Sequence, residues 1–184
     1  NSYEEETKKI NIEFINLENI YLKKENINND DVKNYINKNK EKLKKDYIDF
    51  SYSKVTPKDL IGLDEYNDEF FTKIDEIESK LLNNVSFKDT IQTYDLKSIS
   101  KNNFIPQSDK ETIETKIYNL RNNEKSGVID ESDFFVIYEI TKIENRIPNV
   151  DDTNFVNQVK QFIFNKNKFE FNKKILKKIN DNNF

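Results

Sequence analysis

The chain has 184 residues, a net charge of −4 from 30 basic and 34 acidic side chains, and neither histidine nor cysteine. That composition excludes disulfides, thiolate nucleophiles, Ser-His-Asp arrangements and zinc sites built on Cys or His. Charged and hydrophobic residues each make up 35% and glycine occurs twice, so the core must be small or divided, and no glycine-rich phosphate loop can form. The mixed charge gives no basic, aromatic-interleaved stripe of the kind that nucleic acid requires.

Ile10, Ile12 and Phe14 alternate with polar residues, and Ile15 and Leu17 continue the run, which predicts a strand. Asn28-Asn29-Asp30 supplies N-cap chemistry for a helix from about Asp30 to Lys44, with Val32, Tyr35, Ile36 and Leu43 at helical spacing. Tyr47 to Val55 alternates again, and Thr56-Pro57 ends that strand because proline cannot donate to a ladder. Asp59 to Asn67, with Gly62, reads as a loop. Phe70, Phe71, Ile74, Ile77, Leu81 and Leu82 describe an amphipathic helix. Ser86 to Asp89 caps a further helical turn, Leu96 to Ile99 reads as a short strand, and Ser108-x-x-Glu111 is a capping box before Ile113, Ile117 and Leu120.

Val128 and Ile129 then form a short strand, residues 130–133 turn, and Phe134 to Ile143 is a long strand. Asp151-Asp152 leads into a final helix whose lysines (160, 166, 168, 173, 174, 177, 178) read as a solvated face. The chain is thus expected to be α+β, with β-α-α-β-α-β-β from Tyr47 to Ile143 and a smaller α/β lobe made from both chain ends. With few glycines, asparagine is expected to serve turns that need a positive φ. The absence of Met, even at position 1, is read as the mark of a processed or excised fragment, with any signal or anchor upstream of Asn1.

Acidic pairs (Asp64-Glu65, Asp68-Glu69, Asp75-Glu76, Asp130-Glu131, Asp151-Asp152) read as solvated surface and are assigned no catalysis. No calcium-loop spacing occurs, and no metal or cofactor is expected. On the long strand Phe134, Val136 and Tyr138 share one face, Phe135 and Ile137 the other. Two readings stand: a strand buried on both sides, or one face lining a groove for extended apolar peptide.

Three segments in order carry a resemblance to a known family: YIDFSYSKVTPKDL (47–60), IYNLRNNEKSGVID (117–130) and DFFVIYEITKI (133–143). They resemble the first strand, the helix-to-hairpin stretch and the last strand of a parvulin-type peptidyl-prolyl isomerase domain. Residues 25–46, with NNDDVKNYINKNKEKL, and the helix after Pro148 are similar to the flanking helices of PpiD-type folding factors, which are related to SurA.

The resemblance implies a chaperone-type lobe from residues 1–46 with 147–184, and a degenerate parvulin-like domain over 47–146. It implies a parvulin-like four-stranded antiparallel sheet with helices, and a periplasmic protein tethered to the bacterial inner membrane by an upstream segment. Its partners would be unfolded or nascent exported polypeptides, with the secretion translocon a further candidate. Tyr52 and Val136 fall where active family members carry two histidines on neighbouring central strands, and Phe134 where the family usually has glycine. The family's glycine-rich segment is replaced by KSISKNNFIP (97–106). No catalytic residue is therefore assigned and little or no isomerase activity is expected. Tyr52, Phe134, Val136 and Tyr138 are the candidate peptide-binding residues. The alternative is an active isomerase of low efficiency, with Tyr52 and a buried acid filling in.

Overall fold

The structure is a computed structural model, and it describes residues 14, 16, 20–107 and 110–181. The chain divides into two compact units, residues 44–147 and residues 1–43 with 148–184. The class is α+β, as expected, and the sheet has four antiparallel strands in the order β2-β1-β4-β3.

In the unit 44–147, β1 (Lys45–Val55) and β4 (Phe134–Arg146) are the long central strands. β2 (Ile99–Phe104) pairs with β1, and β3 (Ser126–Glu131) with β4. The helices α3 (Pro57–Ile61), α4 (Asp68–Leu82) and α5 (Phe87–Thr93) lie between β1 and β2, and α6 (Ile113–Leu120) lies between β2 and β3.

Strand alternation sorts the apolar residues onto two faces. Val55, Ile137 and the half-buried Phe135 and Val128 pack with Phe70, Ile74, Ile77 and Leu81 of α4 and Phe87 and Ile91 of α5. Ile48, Phe50, Tyr52, Val136, Tyr138 and Ile140 pack with Ile117 of α6. Burial on both faces is what makes β4 read as a continuous apolar run.

Two irregularities keep these faces in phase. In β4 Thr141 is an extra residue between the pairs Asp49↔Lys142 and Phe50↔Ile140, so Ile140 and Ile143 both lie opposite residues of one β1 face. The Thr141 hydroxyl donates to the Asp49 carbonyl at 3.1 Å. In β2 the extra residue falls beside Asn103, whose φ is 52°. Asparagine takes a left-handed conformation there that most side chains resist, and its N–H donates to Asp49 Oδ1 at 2.7 Å.

Several boundaries differ from those read in the sequence. The expected loop after β1 begins with α3: the N–H and hydroxyl of Thr56 both donate to Asp59 Oδ2, Pro57 opens the helix, and Gly62 closes it at φ 72°. The expected strand over Leu96–Ile99 is displaced to Ile99–Phe104, a nearly fully exposed edge strand whose polar sequence carries no alternation. The cap of α6 is Thr112, whose Oγ1 accepts from the Thr115 N–H; Ser108 of the expected capping box lies outside the described residues. The hairpin turn is Ser132-Asp133 alone, because Glu131 already pairs with Phe134.

The other unit is helical among its described residues. α1 (Asn29–Lys38) is opened by an Asn28–Asp31 capping box. The helix expected to run to Lys44 stops at Lys38, and Asn39 closes it, its backbone N–H and its side-chain amide both donating to the Tyr35 carbonyl, at 3.1 and 2.8 Å. α2 (Lys40–Leu43) resumes after it. α7 (Thr153–Asn180) is capped by Asp152 and contacts α1. Buried side chains are Ile27, Val32, Ile36 and Leu43 with Phe155, Val159 and Ile163. The strand expected from Ile10 to Leu17 lies outside the described residues apart from Phe14 and Asn16, which are in no regular element.

Candidate functional site

The four residues singled out in the sequence come together on the α6 face of the central strands. Tyr52 pairs directly across from Tyr138, and Val136 pairs with the adjacent Lys54. Tyr52, Val136 and Tyr138 are buried to 4%, 0% and 0% exposure. Phe134, at the hairpin end, is half-buried with Lys54 Nζ 5.0 Å from its ring centroid. The face is filled: Ile117 seals its centre, and Ile113, Tyr118 and Leu120 pack around it. Three of the four residues are therefore packing residues in this conformation, and only the Phe134 end reaches solvent.

The polar groups of this face have definite partners, with one exception. The Tyr52 hydroxyl donates to Glu114 Oε1 at 2.9 Å. Burial, and then that carboxylate, push the Tyr52 phenol up to about 12. Burial alone would raise the Glu114 carboxyl, but its own backbone N–H, the Tyr52 hydroxyl and Thr112 together hold it below the usual glutamate value. Tyr138 has a buried hydroxyl with no hydrogen-bond partner, and burial followed by the Glu124 charge pushes its phenol up to about 12. Both phenols stay protonated at neutral pH, and the Tyr52 proton is committed to Glu114. The unpaired Tyr138 hydroxyl is sealed beneath the same packing.

Beside this cluster, where β2 runs into α6, an open recess of about 360 Å³ is lined by Asn102 to Gln107, Lys110, Thr112 and Thr115. Phe104 forms its inner wall, edge-on to Phe50 at 5.5 Å and to Tyr118 at 6.2 Å. The recess offers an aromatic floor, a proline and hydroxyls. The sequence reading missed it, because residues 97–106 show no periodicity and α6 alone brings Thr115 against them.

A second mouth opens on the opposite face, where Tyr66, Phe71 and Phe135 surround a recess of about 160 Å³ with Asp130, Glu131 and Ser132. Among the described residues no group of three or more Asp or Glu could hold a metal ion, and no helix is long and apolar enough to cross a membrane. No family model matches the chain, and comparison with curated proteins and with solved structures gives no match.

Proposed function

We propose that the chain is a non-catalytic folding-factor fragment that binds unfolded exported polypeptide through a parvulin-like module. The observation that carries this reading is the placement of Tyr52 and Val136. They lie on adjacent central strands and face the same helix, and the resemblance aligns them with the two histidines of active members. Rotation about a prolyl peptide bond must overcome a barrier of about 18–20 kcal/mol, and a phenol locked onto a carboxylate beside a valine polarises nothing. What is left is a surface for peptide: the recess between β2 and α6, with the unpaired outer edge of β2 alongside it. The periplasmic setting, the upstream membrane tether and a translocon contact follow from the same resemblance and belong to the proposal.

Two assays test it on the 184-residue chain. In a protease-coupled assay with a short proline peptide, isomerisation is expected at the uncatalysed rate. In light scattering with an unfolded client protein, the chain is expected to suppress aggregation; scattering unchanged at molar excess overturns the proposal.

One observation favours the second reading, a weakly active isomerase: the Tyr52–Glu114 pair places a hydroxyl and an acid at a histidine position. That reading predicts a rate above background that disappears in Tyr52→Phe.

A further inference from the structure

The mouth on the α4/α5 face gathers three aromatic side chains over a buried fourth. Tyr66, in the loop before α4, stacks on Phe71 at 6.0 Å, and both lie within 6.4 Å of the Phe135 ring. Phe70, at 0% exposure, is the floor beneath them. Tyr66 and Phe71 remain 40% and 45% exposed.

Four other partly exposed aromatics of the unit are covered by the chain's own cations. Lys54 lies over Phe134, Lys80 over Tyr94, Arg121 over Tyr118 and Arg146 over Tyr47, at 3.8–5.0 Å. Among the described residues no lysine or arginine lies over Tyr66, Phe71 or Phe135, and none lines their recess. Its charges are of one sign. Asp130 pairs with Phe135 across the hairpin, so its side chain lies on the same face of the sheet, and it forms no ion pair among the described residues. Asp133 is in the adjoining turn, and Asp64, Glu65, Asp68 and Glu69 flank Tyr66 and Phe71 in the chain. Glu131 is held at 2.7 Å by Lys116, and Asp64 is 3.7 Å from Lys58.

We propose that this recess takes an arginine side chain from an extended polypeptide, the guanidinium stacked on Tyr66 and Phe71 and hydrogen-bonded to the Asp130 carboxylate. Arginine fits better than lysine because its planar, weakly hydrated head can stack and donate in the same plane. Apolar neighbours of that arginine would lie along Phe135. The inference rests on the folding-factor reading only in taking the arginine to come from an unfolded client, and it then gives that factor a preference for segments that mix cationic and apolar residues.

The test is fluorescence anisotropy on the 184-residue chain, with a labelled, end-blocked peptide of one arginine between two phenylalanines. A second peptide carries citrulline, which keeps the shape and removes the charge. The arginine peptide is expected to bind about fivefold more tightly or better. Phe71→Ala and Asp130→Asn should each weaken it by a similar factor, Asp130→Asn should level the two peptides, and added salt should weaken the arginine peptide alone. Both positions are surface-exposed, and circular dichroism checks that each variant folds.

No binding of the arginine peptide overturns the proposal. So do equal binding of the two peptides, or a preference that survives both substitutions. A dimer that Phe71→Ala dissociates without changing peptide binding also overturns it, by assigning the recess to a second copy of the chain. Aggregation suppression without arginine preference defeats this inference and leaves the folding-factor reading; arginine preference without suppression does the reverse.

Discussion

The hydroxyl of Tyr52 donates to Glu114 Oε1 across 2.9 Å, joining the middle of β1 to the first turn of α6. The bond has an alkaline signature. The folded protein holds the Tyr52 proton up to about 12, whereas phenols in an unfolded chain ionise near pH ~10. This stabilisation is complete below the unfolded value and is lost as pH rises through the window between the two. Stability measured by urea denaturation is expected to fall steeply above pH ~10, and Tyr52→Phe should make the fall shallower. Spectrophotometric titration should lose one late-ionising phenol in the variant.

Two tyrosines that face each other in the sheet should respond oppositely to loss of their hydroxyls. Tyr52→Phe removes a made hydrogen bond and leaves Glu114 with only its backbone N–H and Thr112 as donors, at a cost of about 1 kcal/mol. The Tyr138 hydroxyl is buried without a partner, so Tyr138→Phe removes a desolvated polar group and should be neutral or stabilising by up to about 1 kcal/mol. Equilibrium urea unfolding of the two variants compares them directly. Equal destabilisation would mean that the Tyr138 hydroxyl has a partner.

Acid should loosen the sheet where β1 begins. Asp46 accepts from Asn145 Nδ2 at 2.7 Å and from Arg121 Nε at 2.9 Å. The Asn145 bond first, and then Arg121, hold its carboxyl below the usual aspartate value. Glu114 is lowered as well. Carboxyls with depressed folded values stabilise fully above their unfolded pKa of roughly 4, and that stability is lost as pH falls through the folded value. Unfolding midpoints recorded from neutral pH downward should therefore drop below pH ~4, with a smaller drop in Asp46→Asn and Glu114→Gln. An unchanged acid limb in both variants would show that other groups carry it.

The elements legible in the sequence were those whose burial imposes a period. β1, α4 and β4 announced themselves because Phe50, Tyr52, Ile74, Ile77, Val136 and Ile137 sit at core positions on strict strand or helix spacing. The α+β class followed from them, whereas the four-stranded antiparallel sheet was implied by the family resemblance. Elements made by capping or by pairing alone were harder to see. α3 rests on Thr56, Pro57 and Asp59, a signal present in the sequence but taken for a strand terminator and a loop. β2 exists because β1 offers it a partner, and of its own residues only Phe104 is drawn into the core.

The candidate site was legible only as a set of neighbours. Alternation placed Phe134, Val136 and Tyr138 on one face, yet whether that face is open depends on α6, whose Ile117 seals it. The two recesses lie at loop–helix junctions, and residues such as Phe104 and Thr115, or Tyr66 and Asp130, meet there through tertiary contact that no local spacing records.

That sealing residue gives the sharpest stability prediction. Ile117 is at 0% exposure, among Tyr52, Val136 and Tyr138. Ile117→Ala removes three buried carbons and leaves a gap that the stiff, hydrogen-bonded β1–β4 pair cannot close, so the expected cost is about 2–5 kcal/mol. The damage should be one-sided. α4 and α5 keep their own cluster around Phe70, Ile77 and Phe87 on the other face, so the arginine recess should retain its affinity wherever the variant is still folded. The partly opened α6 face should bind a hydrophobic dye that the parent chain does not. A cost below about 1 kcal/mol, outside the range for a buried isoleucine cut to alanine, with no added dye binding, would show that α6 does not close this face in solution. Tyr52, Val136 and Tyr138 would then be open to a peptide after all.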